Sequence, residues 1–280
     1  MQVYRPELDH YSPLRLQLAG EVRDAIRRDE LYLVYQPKLD LHTGTVVGVE
    51  ALVRWRHPGR GMVAPSDFVP AVENTELAHP LTVHLLDLAL GACRRWKDRG
   101  LDLHVAVNVP ARCLADDRLV TEVPEALDRH GLEASNLELE LTESSLLADA
   151  GQARRALGAL RNLGITLAID DFGTGYASIS YLTGLPVHVV KIDQSFVMHL
   201  HDDPQAAAVT RFSIELAHGL GLTVVAEGVE DEATMQTLST LGCDLVQGYH
   251  LARPMEEAQL IAWLASADTR VATAVGGKDS

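Results

Sequence analysis

The chain has 280 residues, 47% hydrophobic, 22% charged and 5% aromatic, with 24 Lys and Arg against 39 Asp and Glu for a formal net charge of −15. That length suits one large α/β barrel, which needs about 250 residues. The acidic surplus argues against a nucleic-acid polymer or an anionic membrane as partner, because both are gripped by clustered cations, and leaves open a small phosphate-bearing ligand. No apolar run reaches the roughly 18 residues of a bilayer span, and residues 1–7 carry no apolar signal core, so the expectation is a cytoplasmic chain without membrane contact. Cys93, Cys113 and Cys243 are odd in number and far apart, with no C-x-x-C spacing, which points to small buried side chains rather than disulfides or zinc.

Residues 1–29 open with Pro and Asp and continue with Leu14, Leu18, Val22 and Ile26 at i+4 spacing, the pattern of an amphipathic helix. Two β-rich runs follow, at 31–39 and 45–55, with about five residues between them. A parallel crossover needs about a dozen or more, so these runs predict an antiparallel hairpin. Residues 58–61 read as a loop, a short helix starts at Pro65 or Ser66 and ends at Glu73, and Pro80 opens a longer one to Arg99 with Leu81, Leu85, Leu88 and Ala92 on one side. From there apolar runs at 103–109, 137–141, 166–169, 187–192, 223–226 and 244–247 alternate with helical patterns near 118–130, 149–163, 204–219, 231–241 and 255–265, plus a shorter piece at 177–183. Strands alternating with helices give a parallel sheet covered by helices. Two hairpin strands and six more make eight, which at this length favours a closed barrel.

The C-terminal ends of the runs carry the chemistry. They hold Glu50, with Arg54 four positions on; Asn108; Glu140, with Thr142 and Glu143; Asp170 and Asp171; Lys191 and Asp193; Glu227 and Glu230; and Gln247. In a parallel barrel these ends share one rim, the rim on which active sites of such barrels are built. Each residue alone has a plain structural alternative. Glu138 and Glu140 alternate with leucines and one or both could face outward, Lys191 could be an interior cation, Glu230 could cap a helix, and Asn108 could shape a turn. Seven polar strand ends together are poorly explained that way. Asp170 and Asp171 close an apolar run with two like charges, which repel by roughly 4 kcal/mol at an effective dielectric near 20, and a divalent cation removes that cost. Oxygen donors without His or Cys suit Mg2+ or Mn2+ rather than zinc. Acids beyond the need of one ion suggest a pair of ions, which stabilises the attacking and leaving oxygens of phosphoryl transfer. Lys191 could orient water, Gly173 and Gly175 free the loop after the aspartates, and the planar fork of Arg54 suits a phosphate. Asp171-Phe172-Gly173 matches the kinase triplet, but no H-R-D-x-x-x-x-N or glycine-rich phosphate loop accompanies it.

Taken as a set, Glu50-Ala51-Leu52-Val53-Arg54-Trp55, Asn108-Val109, Glu140-Leu141-Thr142-Glu143, Asp170-Asp171-Phe172-Gly173-Thr174-Gly175, Lys191-Ile192-Asp193, Ala226-Glu227-Gly228-Val229-Glu230 and Gln247-Gly248-Tyr249 resemble the EAL domain, the cyclic di-GMP phosphodiesterase family. The resemblance implies a TIM-like (β/α)8 barrel with an antiparallel first strand, and hydrolysis of cyclic di-GMP to linear pGpG with two Mg2+ or Mn2+ ions. It implies that Glu50, Asn108, Glu140 and Asp170 ligate one metal and that Asp171 serves the second. Lys191 would contact the nucleophilic water and Glu227 would be a general base or second-metal ligand. Glu143 would anchor the 171–175 loop, and Gln36, Leu52, Arg54, Asp193, Glu230 and Gln247 would meet the substrate. A homodimer through that loop and the following helix is implied, as is an upstream diguanylate cyclase or sensor domain. The expected division is a connector at 1–19, the EAL domain at 20–265 and a flexible tail at 266–280. Pro110 departs from the pattern, standing where a small hydroxyl residue is common. The rival from a different class is a catalytically silent cyclic di-GMP receptor. Such receptors usually lose an acid or disrupt the loop after Asp171, and this chain keeps every one.

Overall fold

In the computed structural model, which describes residues 13–115, 117–143, 150–175 and 182–267, the hairpin forms as its spacing requires. Strand β1 (Leu31–Asp40) pairs antiparallel with β2 (Val46–His57), setting Gln36 opposite Glu50 and Lys38 opposite Gly48. The turn between them is built by Asp40, whose Oδ1 accepts hydrogen bonds from the backbone N–H of His42 and Thr43 at 2.7 and 2.9 Å. Strands β4 (His104–Asn108), β5 (Leu137–Thr142), β6 (Thr166–Phe172), β7 (Val189–Ile192), β8 (Thr223–Ala226) and β9 (Leu245–Val246) then add in parallel beyond β2. The ring closes where β9 pairs antiparallel with β1, through Leu39 with Val246 and Asp40 with Leu245. Eight strands thus form a closed barrel in which β1 alone runs against its neighbours. A further short strand, β3 (Gly61–Val63), starts at the last residue of the expected 58–61 loop and runs on beyond it. It forms because β2 continues past Trp55 to His57 and leaves an edge for three residues to pair with.

The helices are α1 (Pro13–Arg27), α2 (Pro65–Glu73), α3 (Ala78–Lys97), α4 (Arg118–His130), α5 (Ala150–Asn162), α6 (Gln194–Val197), α7 (Pro204–Gly219), α8 (Glu232–Thr240) and α9 (Glu257–Ala267). Most of the expected 177–183 piece, the first twelve residues and the tail from 268 lie outside the described residues. In α3 the buried face holds Leu81 and Ala92 of the expected stripe together with Leu86, Ala89, Leu90, Cys93 and Trp96, while Leu85 and Leu88 are only partly buried. Trp96 packs edge-on against Tyr35 of β1 at 5.0 Å. Leu18, Val22 and Ala25 of α1 pack with Trp55, Phe68 and Val72 in a separate cluster. All three cysteines are buried and free, as their spacing implies.

Strand alternation sorts the chain into a dry shell and a polar lumen. Leu137, Leu139 and Leu141 face the helices and join Leu157 and Leu160 of α5 in the main core. Glu138 and Glu140 therefore both point inward, against the reading that one or both face out, and both are buried. Ala168, Val189 and Val225 form a small apolar plug inside the ring, with Leu245 against it.

Gly248 follows β9 under the backbone of Val229, and a Cβ there would lie 2.1 Å from the Val229 carbonyl oxygen. Gly219, at the end of α7, would meet nothing within 4 Å. Gly248→Ala should therefore destabilise the fold by about 1–3 kcal/mol, because backbone has to move. Gly219→Ala should be neutral or stabilise by up to about 1 kcal/mol through helix propensity. Urea unfolding of both variants checks this, and equal effects would contradict the packing at Gly248.

Candidate active site

Six strands deliver polar side chains into the lumen, and two ammonium groups organise them. Lys191 of β7 is wholly enclosed, with Nζ 2.8 Å from Glu227, 2.9 Å from Glu140, 3.0 Å from Asp170 and 3.8 Å from Glu50. Lys38 of β1 is equally enclosed and donates to Glu138 at 2.5 Å and to Glu140 at 2.7 Å. Glu50 is fixed from both sides: Asn108 Nδ2 donates to its Oε1 at 2.8 Å and Gln247 Nε2 to its Oε2 at 2.6 Å. Gln247 also donates to Gln36 at 3.0 Å, and Gln36 to the Ala252 carbonyl at 3.2 Å. Glu50 stands in the middle of β2 rather than near its end, since the strand runs on to His57.

Adjacent residues of a strand normally face opposite ways, yet Asp170 and Asp171 serve one site. The ladder between β6 and β7 shifts register between Ile169 and Phe172, and Asp171 has φ of 56°. This bulge re-aims the second aspartate. Carboxylate oxygens of Asp170, Asp171 and Glu227 then all lie within 4.8 Å of one another, as do those of Glu50, Glu140 and Asp170. The two triplets share Asp170. Left-handed backbone at a non-glycine residue costs of order 1–3 kcal/mol and persists where surrounding structure imposes it. Here the Thr174 hydroxyl donates to the Asp171 carbonyl at 2.8 Å, and the Gly173 N–H to Glu143 Oε2 at 3.1 Å. Gly173 itself has φ of 99°, and a Cβ on Gly175 would fall 2.5 Å from Glu143 Oε1, so the loop closes on Glu143 only with small residues.

Leu52 and Arg54 line a cavity of about 630 Å³ beside the acids, together with Asn108, Glu140, Thr142 and residues of α2. Arg54 donates to the Val53 carbonyl at 2.8 Å. Asp193 caps α6, accepting from the Ser195 N–H at 3.0 Å, and Glu230 is exposed on the turn after β8. Pro110 starts the helical turn Ala111–Leu114 behind the cavity. Lys38, Glu138 and His104 are members of the polar lumen that sequence reasoning did not pick out. The alternation of Gln36 with Lys38 in an otherwise apolar strand was the available signal.

The electrostatics follow from burial and charge count. Burial favours the neutral amine at both lysines, but the carboxylates around them outweigh it and hold both ammonium groups above the usual lysine range. Burial likewise favours protonated Glu140, but Lys191 and Lys38 reverse this and keep it ionised, below the usual carboxylate range. Glu50 and Glu227 are less well served. Burial, reinforced by neighbouring acids and only partly offset by Lys191, pushes Glu50 up to about 7 and Glu227 up to about 8. Asp171 is raised as well, by burial first and Asp170 next. Around two ammonium groups stand six carboxylates (Glu50, Glu138, Glu140, Asp170, Asp171 and Glu227), an excess of four. With Glu50 and Glu227 ionised, that excess would match the charge of two divalent cations, and near neutrality the protons on those two acids offset half of it. The donors are all oxygen, which suits hard cations, and the buried Gln247 Oε1 has no hydrogen-bond partner, as an acceptor awaiting a ligand would.

The family model described as the EAL domain matches residues 19–254. The chain is 43% identical to the cyclic di-GMP phosphodiesterase PA2567 of Pseudomonas aeruginosa over 93% of its own length, and spans 45% of that relative. Among solved structures, the PaMucR phosphodiesterase in complex with c-di-GMP superposes with a TM-score of 0.82 at 43% identity, covering 87% of this chain and 99% of that one. The EAL enzyme Bd1971, in its cAMP- and cyclic-di-GMP-bound form, superposes with a TM-score of 0.84 at 32% identity, covering 89% of this chain and 69% of that one. With its closed barrel, single reversed strand and acid-lined rim, the chain belongs to the EAL domain family.

Proposed function

We propose that this chain is a cyclic di-GMP phosphodiesterase that hydrolyses its substrate to linear pGpG with Mg2+ or Mn2+. The observation that carries the reading is the pair of carboxylate triplets sharing Asp170 above the buried Lys191, in a chain 43% identical to a phosphodiesterase of that substrate. Glu50, Asn108, Glu140 and Asp170 would hold one ion and Asp171, Asp170 and Glu227 the other. Such ions supply Lewis-acid stabilisation of phosphoryl oxygens and lower the pKa of water. Lys191, bonded to three of these acids, holds them at fixed spacing and presents positive charge to the attacking water. Water adds to one phosphorus, the bond from that phosphorus to the 3′ oxygen breaks, the water's proton passes to Glu227, and the departing 3′ oxygen takes up a proton from solvent to become the free hydroxyl. Without a cation Glu227 is pushed up to about 8 and keeps its proton near neutrality, so it would serve as acceptor once bound cations had displaced that proton. Arg54 and Leu52 border the cavity that would take part of the dinucleotide, and Gln36, Asp193, Glu230 and Gln247 would supply further contacts.

The same reading includes finer proposals: a homodimer through the 171–175 loop, an upstream cyclase or sensor domain joined through a 1–19 connector, the EAL domain at 20–265 and a tail at 266–280. The share of PA2567 that the chain spans supports a longer natural context, and no described helix is long and apolar enough to cross a membrane.

Purified protein incubated with cyclic di-GMP and Mg2+ or Mn2+ should yield pGpG. Binding without turnover across both metals would replace this reading with that of a silent receptor. Glu50→Ala and Glu227→Ala should each lower turnover by about 10²-fold or more. Glu143→Ala should lower kcat with little loss of stability, because it releases the Gly173 N–H and with it the Asp171 turn. Unchanged kcat would leave Glu143 without that role.

A pH test follows from Glu50 and Glu227. Their folded pKa values of about 7 and 8 exceed the ordinary 4.5, so the metal-free fold retains protons that the unfolded chain has released. Stability present at low pH is therefore lost as pH rises through these values. Burial holds His104 below its ordinary 6.5, an effect that acts in the opposite sense but only below that pH. Chelator-treated protein should accordingly melt lower at about pH 8.5 than at pH 6.5, while stabilisation by Mg2+ grows over the same range as protons cease to compete. A Mg2+ effect that does not vary with pH would contradict metal binding at these two acids.

A further inference from the structure

Lys38 lies below the site just described, and no step of the proposed reaction uses it. It enters the lumen because β1 is reversed and alternates Gln36 and Lys38 inward, opposite Glu50 and Gly48. Gly48 offers no side chain, and a Cβ there would fall 2.2 Å from His104 Nε2, so the imidazole fills that place. Lys38 crosses the lumen to β5, where its ammonium donates to Oε1 of Glu138 and Oε1 of Glu140. None of its side chain is exposed.

The consequence is a division of labour between the two oxygens of Glu140. Oε1 is held by Lys38 at 2.7 Å and Oε2 by Lys191 at 2.9 Å. A glutamate side chain has three rotatable torsions, and with Lys191 alone both oxygens would be drawn to one side. Glu138 supplies the second anchor that keeps the Lys38 ammonium from following Glu140. We propose that Lys38, braced by Glu138, is a positioning residue that turns one oxygen of Glu140 away from the rim and so presents Glu140 to the metal site through a single oxygen. This rests on the reading of Glu50, Glu140 and Asp170 as metal ligands.

Lys38→Met alone leaves Glu138 buried without its cation, which threatens the fold by several kcal/mol. The decisive variant is K38M/E138M, which removes the pair without changing net charge. Mn2+ affinity, read from the paramagnetic resonance of the free ion, should fall by about 10- to 100-fold, the usual effect of removing a group that orients a ligand. kcat should fall with it, while KM for cyclic di-GMP stays within about twofold. Circular dichroism should match the unaltered protein. Unchanged Mn2+ affinity and kcat in the folded variant would overturn the proposal, and so would a lower melting temperature alone, since that marks a purely structural pair. Failure of the unaltered protein to bind Mn2+ would overturn the metal reading first. In the unaltered protein the Lys38 ammonium should also persist as a slowly exchanging 15N signal as Mg2+ is added. Its release into fast exchange would overturn the proposal whether or not the variant folds.

Discussion

An excess of negative charge gathered in the lumen and at the rim of a closed barrel is the constraint on which the rest of this structure depends. Water could solvate six carboxylates cheaply, but the lumen is walled by strands whose outer faces are dry. Two lysines offset part of the charge, and protons held on Glu50 and Glu227 offset more. The remaining imbalance is one that a bound cation would relieve. The fold thus maintains the site in a state that a divalent ion relieves, which is how a protein builds affinity without softer His or Cys ligands.

The reversal of β1 is the architectural side of the same constraint. In a regular barrel every strand enters from the same end, so lumen residues from all strands descend in the same order. Here β1 enters from the opposite end, with Gln36 level with Glu50 near the rim and Lys38 level with Gly48 below it. The hairpin therefore places a long cation under the acids, while the Gln36 amide accepts from Gln247, which in turn donates to Glu50. Gly48 makes room by having no side chain, and His104 occupies the space that results.

Much of this could be read in the sequence, for identifiable reasons. The hairpin followed from a connection too short to cross over, and the parallel strands from apolar runs spaced by helical periodicity. Seven polar strand ends identified the rim. What escaped was depth. Periodicity assigns Glu138 and Glu140 to one face but does not say which face is wet, because a barrel lumen can be either. The question is decided by Lys38, a hundred residues away in sequence from Glu138 and in hydrogen-bond contact with it. The buried face of α3 is wider than the expected stripe, because it also takes in Trp96, whose edge-on contact with Tyr35 a helical wheel does not show.

The Asp170-Asp171 pair shows most directly how local rule-breaking serves the site. Alternation would send one of the two outward into the helical layer, where a buried unpaired carboxylate would be costly. The bulge instead puts both on the rim, and its left-handed backbone at Asp171 is held by contacts from beyond the strand: Glu143 on Gly173, and Thr174 back on the Asp171 carbonyl. Glu143 therefore bears on the second triplet of carboxylates through the shape of this turn. Any change that frees the loop frees Asp171 to relax toward ordinary strand geometry and away from Asp170 and Glu227. Loop order and the second triplet of carboxylates are in that sense one structural feature, and a partner that stabilised the loop would strengthen the triplet without touching it.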